Sequence, residues 1–471
     1  MTVVVVGGGI GGLAAAWELT GGVVPRAAAP DVVLLEASGR LGGPLRTETF
    51  GGRAVDMGPD GFLARRPEAA GLCRELGLGD DLMPIGARGA SVWARGKLRP
   101  LPEGHAMGIP TRFWPTARSG VLGLRGDLGL ARDALLPRPD VRGPIGDRSV
   151  GPLVARKLGQ RVVDVMVDPM LGGIYAGNVD DMSAAATLPP LLAAAGRRGG
   201  LMRALRAEMP APATPEPDAE TPPLFYSLRA GMASLVDALC TALRDRGVDI
   251  RLSASAERLG RRPGGWTVEA GGEVLGADAV VLATPAPATA ALLEPHDDEA
   301  AGLLRAIDYA SAAVVTFRVD AGDVPEALYG TGFLVPRHSP HKGRDPWVVT
   351  AGTFLDRKWP HLAHDGDVLL RTSLGRIDDE RPSTWSDEEA AGRAWEELGA
   401  LLAVRGDPLE VAVVRHAHAL PQYRVHHLLR TAGVEAAVAR LGNLAVAGSA
   451  YHGVGIPACV ASGRAAARVL S

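Results

Sequence analysis

Three glycines near the N-terminus, Gly7, Gly9 and Gly12, have the spacing G-x-G-x-x-G. They follow the β-branched run 2–6 and precede an Ala-rich helical stretch over 13–19. In that setting the first glycine permits a tight turn. The second lets backbone approach a pyrophosphate, and the third lets helix and strand touch. The helix start offers unpaired N–H groups and partial positive charge to phosphates. A second strand over 32–35 then closes in Glu36, whose carboxylate can accept hydrogen bonds from both ribose hydroxyls and disfavours a 2′-phosphate. This βαβ order predicts an α/β, Rossmann-like dinucleotide-binding unit.

The elements that must position these residues recur along the chain. Residues 225–290 return to αβ character, with a helix around 232–246, short strands near Asp249 and Trp266, and a strand over 279–283. The end repeats strand, Gly-rich turn and helix over 444–447 and 457–470. The sequence therefore predicts a discontinuous nucleotide domain from 1–84, 225–290 and 425–471. Arg- and Leu-rich helical segments over 85–224 predict a helical insertion on the substrate side. Strand-like runs over 291–424 predict a mixed-sheet substrate domain. Residues 207–223 are acidic and Pro-rich and read as a mobile excursion.

The net charge of −3 gives no field that favours nucleic acid. Cys73, Cys240 and Cys459 show no disulfide or zinc spacing, which fits a reducing, cytoplasmic setting, and each reads as a small hydrophobe. No signal peptide is expected at the N-terminus, and no run reaches the ~18 apolar residues of a transmembrane segment. His416 with His418, and His361 with His364, are spaced to share a face, but neither pair has a third metal ligand, so no metal is expected.

After Glu36 the chain reads Ala37-Ser38-Gly39-Arg40-Leu41-Gly42-Gly43, with Arg46 and Thr47 beyond. Further segments are Asp56-Met57-Gly58-Pro59-Asp60-Gly61, Gly172-Gly173-Ile174-Tyr175-Ala176-Gly177, Val280 to Pro285, Leu420-Pro421-Gln422-Tyr423 and Gly448 to Pro457. Together they resemble the oxygen-dependent protoporphyrinogen/coproporphyrinogen III oxidases of haem synthesis, FAD flavoproteins with an amine-oxidase-like fold. The resemblance runs essentially end to end and is stronger to the Gram-positive coproporphyrinogen III oxidase branch. It implies six-electron oxidation of coproporphyrinogen III to coproporphyrin III in haem (protoheme) biosynthesis. Hydride would pass to FAD, and dioxygen would leave as H2O2. The alternatives are a protoporphyrinogen IX oxidase or another FAD amine-oxidase-like enzyme.

The resemblance assigns FAD contacts to Gly7, Gly8, Gly9, Ile10, Gly11, Gly12, Glu36, Ala37, Arg40, Gly42, Gly43, Met57, Gly58, Ala256, Thr284, Gly448, Ser449, Val454, Gly455 and Ile456. It assigns substrate contacts to Arg66, Arg88, Gly173, Ile174 and Tyr175, with a solvated position the alternative for each arginine and core packing the alternative for Tyr175. No catalytic acid or base is named, because the flavin carries the redox chemistry. The implied partners are the porphyrinogen, dioxygen and, as further candidates, downstream haem-pathway enzymes. There are departures. Ala90 stands where plant and animal members have arginine, Arg66 where many bacterial members have lysine, Ser449 where an acid is common and His416 where a tryptophan is common. After Tyr423 the usual glycine gives way to Arg424-Val425-His426-His427.

Overall fold

A computed structural model describes residues 1–24, 29–135, 146–197, 199–209, 223–339, 341 and 346–470. The core of the acidic excursion, residues 210–222, lies outside the described residues, as does Arg198. The chain divides into two units. One comprises Met1–Pro84, Pro222–Asp308 and His427–Ser471, and the other Ile85–Thr221 and Tyr309–His426.

The first unit is built on five parallel strands. They are β1 (Thr2–Val6), β2 (Asp31–Leu35), β3 (Asp249–Arg251), β4 (Ala279–Leu282) and β5 (Leu444–Val446), in the order β3-β2-β1-β4-β5. β1 is central and pairs Val3 with Val32 and Val4 with Val280. Its residues 3–6 are buried on both faces, which explains an unbroken run of valine in place of alternation.

Helix α1 (Ile10–Leu19) follows β1, and α2 (Pro67–Glu75), α3 (Ala233–Asp245) and α4 (Ile456–Leu470) belong to the same unit. α1 is almost wholly buried and carries only small residues where other backbone approaches it. A Cβ on Gly12 would stand 1.9 Å from the Gly7 carbonyl oxygen, and one on Gly463 of α4 would stand 2.0 Å from the Gly11 carbonyl oxygen. β1, α1 and α4 thus meet backbone to backbone. The outer end of α1 is tied by charge. The Trp17 indole donates to Glu75 on α2, which also receives Arg464 of α4 in two hydrogen bonds. Arg246 stacks on the Trp17 ring at 4.0 Å and caps the Thr20 carbonyl.

The second unit centres on a seven-stranded sheet. Its order is Glu410–Pro421, Tyr309–Asp320, Asp367–Leu374, Val349–Phe354, Gly332–Leu334, Ser91–Ala94, Lys97–Pro100. All pairings are antiparallel except that of Gly332–Leu334 with Ser91–Ala94. Two strands from the Arg- and Leu-rich stretch therefore extend this sheet, and helices between residues 113 and 208 bury a separate apolar core.

The backbone contact at Gly463 yields a test. Gly463→Val must push α1 and α4 apart and should destabilise the protein by about 3 kcal/mol or more. Gly39→Ala meets nothing within 4 Å and should stay within ~0.5 kcal/mol. Urea unfolding of both variants checks this; a Gly463→Val midpoint equal to wild type would refute the close contact.

Candidate flavin site

The turn after β1 is shaped by its glycines. Gly7 has φ +110, and a Cβ there would lie 2.6 Å from the Ala283 carbonyl at the end of β4. Gly9 is the N-cap of α1 and no side chain caps the helix start. A Cβ on Gly9 would meet nothing within 4 Å. The helix start thus carries no side-chain cap and has open room beside Gly9, at the positive end of a buried dipole that favours an anionic group. α3 makes the contrast. At its N-terminus the Asp56 carboxylate accepts from Met232 N at 2.8 Å and from Thr47 Oγ1 at 2.5 Å. That helix start is already neutralised by the chain's own acid, whereas the start of α1 has no side-chain cap and no acidic residue in its first turn.

Glu36 stands beside this opening. Its Oε2 accepts from Gly8 N and its Oε1 from Ser38 N, each at 2.8 Å. Two backbone amides fix the carboxylate and leave each oxygen a further lone pair for a ribose hydroxyl. The loop that bears it is held from far along the chain, since Ser253 N donates to Ser38 O and Ala254 N to Glu36 O. Ala256 begins the adjacent strand Ala256–Arg262. Ala37 and Arg40 are exposed. The Arg40 guanidinium donates to Gly43 O at 2.5 Å, Leu45 O at 3.2 Å and Leu41 O at 3.3 Å, so it braces the glycine turn. Gly42 N donates to Gly8 O at 2.8 Å, which lays that turn along the G-x-G loop. Met57 is buried next to Asp56.

The C-terminal loop reaches the same helix start. A Cβ on Gly11 would lie 3.4 Å from Gly448 Cα, while one on Gly448 itself would meet nothing within 4 Å. Gly448 N donates to Ser462 Oγ at 3.0 Å. Val454 and exposed Gly455 lead into α4, which starts at Ile456. Thr284 Oγ1 shares a 2.8 Å hydrogen bond with Thr289. The loop is anchored from below by His427, whose Nε2 lies 3.2 Å from the Tyr451 carbonyl and must donate to it. Burial pushes the His427 imidazole down from 6.5 to about 4. Burial likewise pushes the Cys459 and Cys73 thiols up to about 12, so neither is a nucleophile at neutral pH.

The residues expected to meet substrate fall in both units. In the first, Arg66 precedes α2 without capping it and is half-exposed, with its Nε 3.7 Å from Glu68. In the second, Arg88 is exposed beside the Gly89 turn, and Gly173, exposed Ile174 and half-buried Tyr175 end the helix Asp168–Tyr175. The Tyr175 ring lies 5.6 Å from that of Tyr423. His418 has φ +47, which breaks strand alternation after His416, and among the described residues no group of His, Cys, Asp and Glu is placed to hold a metal. Among them, too, no helix is long and apolar enough to cross a membrane.

Sequence reasoning met Asp56 only inside a segment and His427 only as a departure, gave neither a role, and missed Ser253, Ala254 and Ser462.

A buried parallel sheet, an uncapped helix start and an acid closing the second strand define a dinucleotide-binding oxidoreductase. The chain belongs to the flavin containing amine oxidoreductase family, whose profile matches residues 10–471. It is 37% identical over 473 residues to a coproporphyrinogen III oxidase of Mycobacterium tuberculosis, covering 99% of this chain and 96% of that one. It is 31% identical over 467 residues to that of Bacillus subtilis, covering 98% and 96%. The crystal structure of an Exiguobacterium protein assigned as a protoporphyrinogen oxidase superposes with a TM-score of 0.86 at 31% identity, covering 100% of this chain and 98% of that one.

A Cβ on Gly9 meets nothing within 4 Å. Gly9→Val should leave the unfolding midpoint of the flavin-free protein nearly unchanged and lower bound flavin per mole of protein by about tenfold or more, read from visible absorbance. Undiminished flavin content would show that the opening is not the cofactor seat. His427 sets a pH dependence. The unfolded chain takes up a proton near 6.5 that the folded chain refuses until about 4. The stability linked to it is complete above 6.5 and falls as pH drops towards 4, by at most ~1.4 kcal/mol per pH unit. Urea midpoints at pH 7 and pH 5 should fall less steeply for His427→Gln than for wild type; equal falls would contradict this.

Proposed function

We propose that this chain is an oxygen-dependent coproporphyrinogen III oxidase that uses FAD, with protoporphyrinogen IX the alternative substrate. The observation that carries the cofactor reading is the uncapped start of α1 beside the amide-held carboxylate of Glu36. The relatives' names carry the substrate reading. When bound, FAD accepts the substrate's electrons and returns them to dioxygen, which leaves as hydrogen peroxide.

The chain's own residues bind, orient and exclude water. The N–H groups at the start of α1 receive the pyrophosphate, and Gly9 gives it room. Glu36 receives ribose hydroxyls. Residues 42 and 43, braced by Arg40, would line the cofactor's seat. The start of α4 at Ile456, behind Gly448, Ser449, Val454 and Gly455, would offer it the positive end of a helix dipole. Met57, Gly58, Ala256 and Thr284 complete the enclosure.

In the second unit, Gly173, Ile174 and Tyr175 are the proposed apolar contacts for the macrocycle and Arg88 a proposed partner for a propionate; in the first, Arg66 is proposed for the same role. Both guanidiniums are exposed in the free chain, so each has donors to spend. No side chain need transfer a proton by design, because loss of six hydrogens aromatises the ring. The cytoplasm is the proposed compartment, on the strength of three free cysteines. Downstream haem-pathway enzymes are proposed partners.

The test is turnover. Purified protein with coproporphyrinogen III should produce porphyrin fluorescence well above autoxidation and consume dioxygen. Its kcat/KM should exceed that for protoporphyrinogen IX by about tenfold or more. A rate no faster than autoxidation with either substrate would overturn the proposal, and the reverse preference would select the alternative.

A further inference from the structure

The helix Asp168–Tyr175 is held at both ends by groups that the reading above does not use. At its start, Asp168 is buried, and two guanidiniums approach its Oδ2. Arg337 Nε stands at 3.4 Å and Arg376 Nη1 at 3.5 Å. Both arginines also reach backbone: Arg376 Nη2 donates to Val335 O at 2.8 Å, and Arg337 Nη2 donates to Gly177 O at 2.7 Å. Arg337 also pairs with Asp378.

At the helix end three successive carbonyls are each claimed by a different element. Tyr175 O accepts from Gln422 Nε2 at 2.8 Å, Ala176 O from Ile377 N at 2.7 Å, and Gly177 O from Arg337. Helix ends ordinarily leave such carbonyls to water or to one cap. Ala176 is held at φ +47, a left-handed conformation that a non-glycine residue keeps only where its surroundings fix it. A Cβ on Gly177 would lie 2.6 Å from Gln422 Oε1, so the side chain that grips Tyr175 also passes against the reversal. Ile174 and Tyr175 sit directly before this clamp, and Ile174 is 43% exposed.

We propose that Gln422 and Arg337, with Arg376 and Asp168 behind them, are positioning residues that set the substrate wall formed by Ile174 and Tyr175, and so set which macrocycle it accepts. This rests on the reading of residues 173–175 as substrate contacts. Arg337 couples the two ends, because one planar fork serves both Asp168 and Gly177 O. A lysine keeps the charge but cannot span both.

The experiment uses the holoenzyme and four variants. Gln422→Met removes the donor at near-constant volume, and Arg337→Lys keeps the charge. Each should raise KM for coproporphyrinogen III by about tenfold with kcat within about threefold, and shift the kcat/KM ratio between coproporphyrinogen III and protoporphyrinogen IX. The flavin spectrum should not move. An unchanged KM and an unchanged ratio in both would overturn the proposal. Should either variant fail to fold, amide exchange in the wild-type holoenzyme decides. The amide of Ile377, which donates to Ala176 O, should exchange far more slowly than those of exposed turns such as that at Gly96, and equal exchange would overturn the clamp. Ile174→Arg and Tyr175→Phe separate the two readings. If neither alters KM, the substrate wall itself is wrong. If Ile174→Arg raises KM while Gln422→Met and Arg337→Lys do not, only the clamp is wrong.

Discussion

The contact on which the rest depends is backbone on backbone: Gly12 against the Gly7 carbonyl, and Gly463 against the Gly11 carbonyl. With no side chains between them, β1, α1 and α4 approach closer than ordinary packing allows. That closeness aims the start of α1 and brings the loop from Gly448 onto it. Glu36 is oriented in part by the same turn, because Gly8 donates an amide to its carboxylate. A single steric constraint therefore delivers a dipole, a carboxylate and a distant loop to one place.

Electrostatics then decides which helix starts are available. The chain spends Asp56 on α3 and leaves α1 uncapped. An unsatisfied helix start is a cost to the free protein that an anionic ligand offsets. The second unit uses its charges otherwise. Asp168 and Arg376 are buried and Arg337 is largely so, and their opposite charges are turned toward one another to hold a helix. The exposed Arg66 and Arg88 have no such duty.

What could be read from the residues follows from range. Gly7, Gly9, Gly12, the valines of β1 and the terminal Glu36 announce themselves because their partners lie within one βαβ unit, where spacing is geometry. The parallel sheet and the flavin family followed from them, together with the R-x-G-G and G-V-G-I-P segments. Residues whose role depends on distant register stayed silent. Ser253 and Ala254 hold the Glu36 loop only because β3 pairs with β2 across most of the unit's sequence. Asp56 looked like one more residue of a loop motif until Met232 came to meet it. The strands Ser91–Ala94 and Lys97–Pro100 joined a sheet assembled from residues beyond 308, which no local pattern foretells. Gln422 was visible within its P-Q-Y segment, but its grip on Tyr175 was not.

The central claim is that one cradle, formed by the start of α1, Glu36 and the loop at Gly448, seats FAD. A crystal structure of the protein purified with its cofactor tests it most directly. Electron density for the pyrophosphate against Gly9 and the first N–H groups of α1, with the adenine-side ribose on Glu36, is the predicted result. A nucleotide bound elsewhere, or a cradle that remains closed to FAD at saturating concentration, would contradict the account.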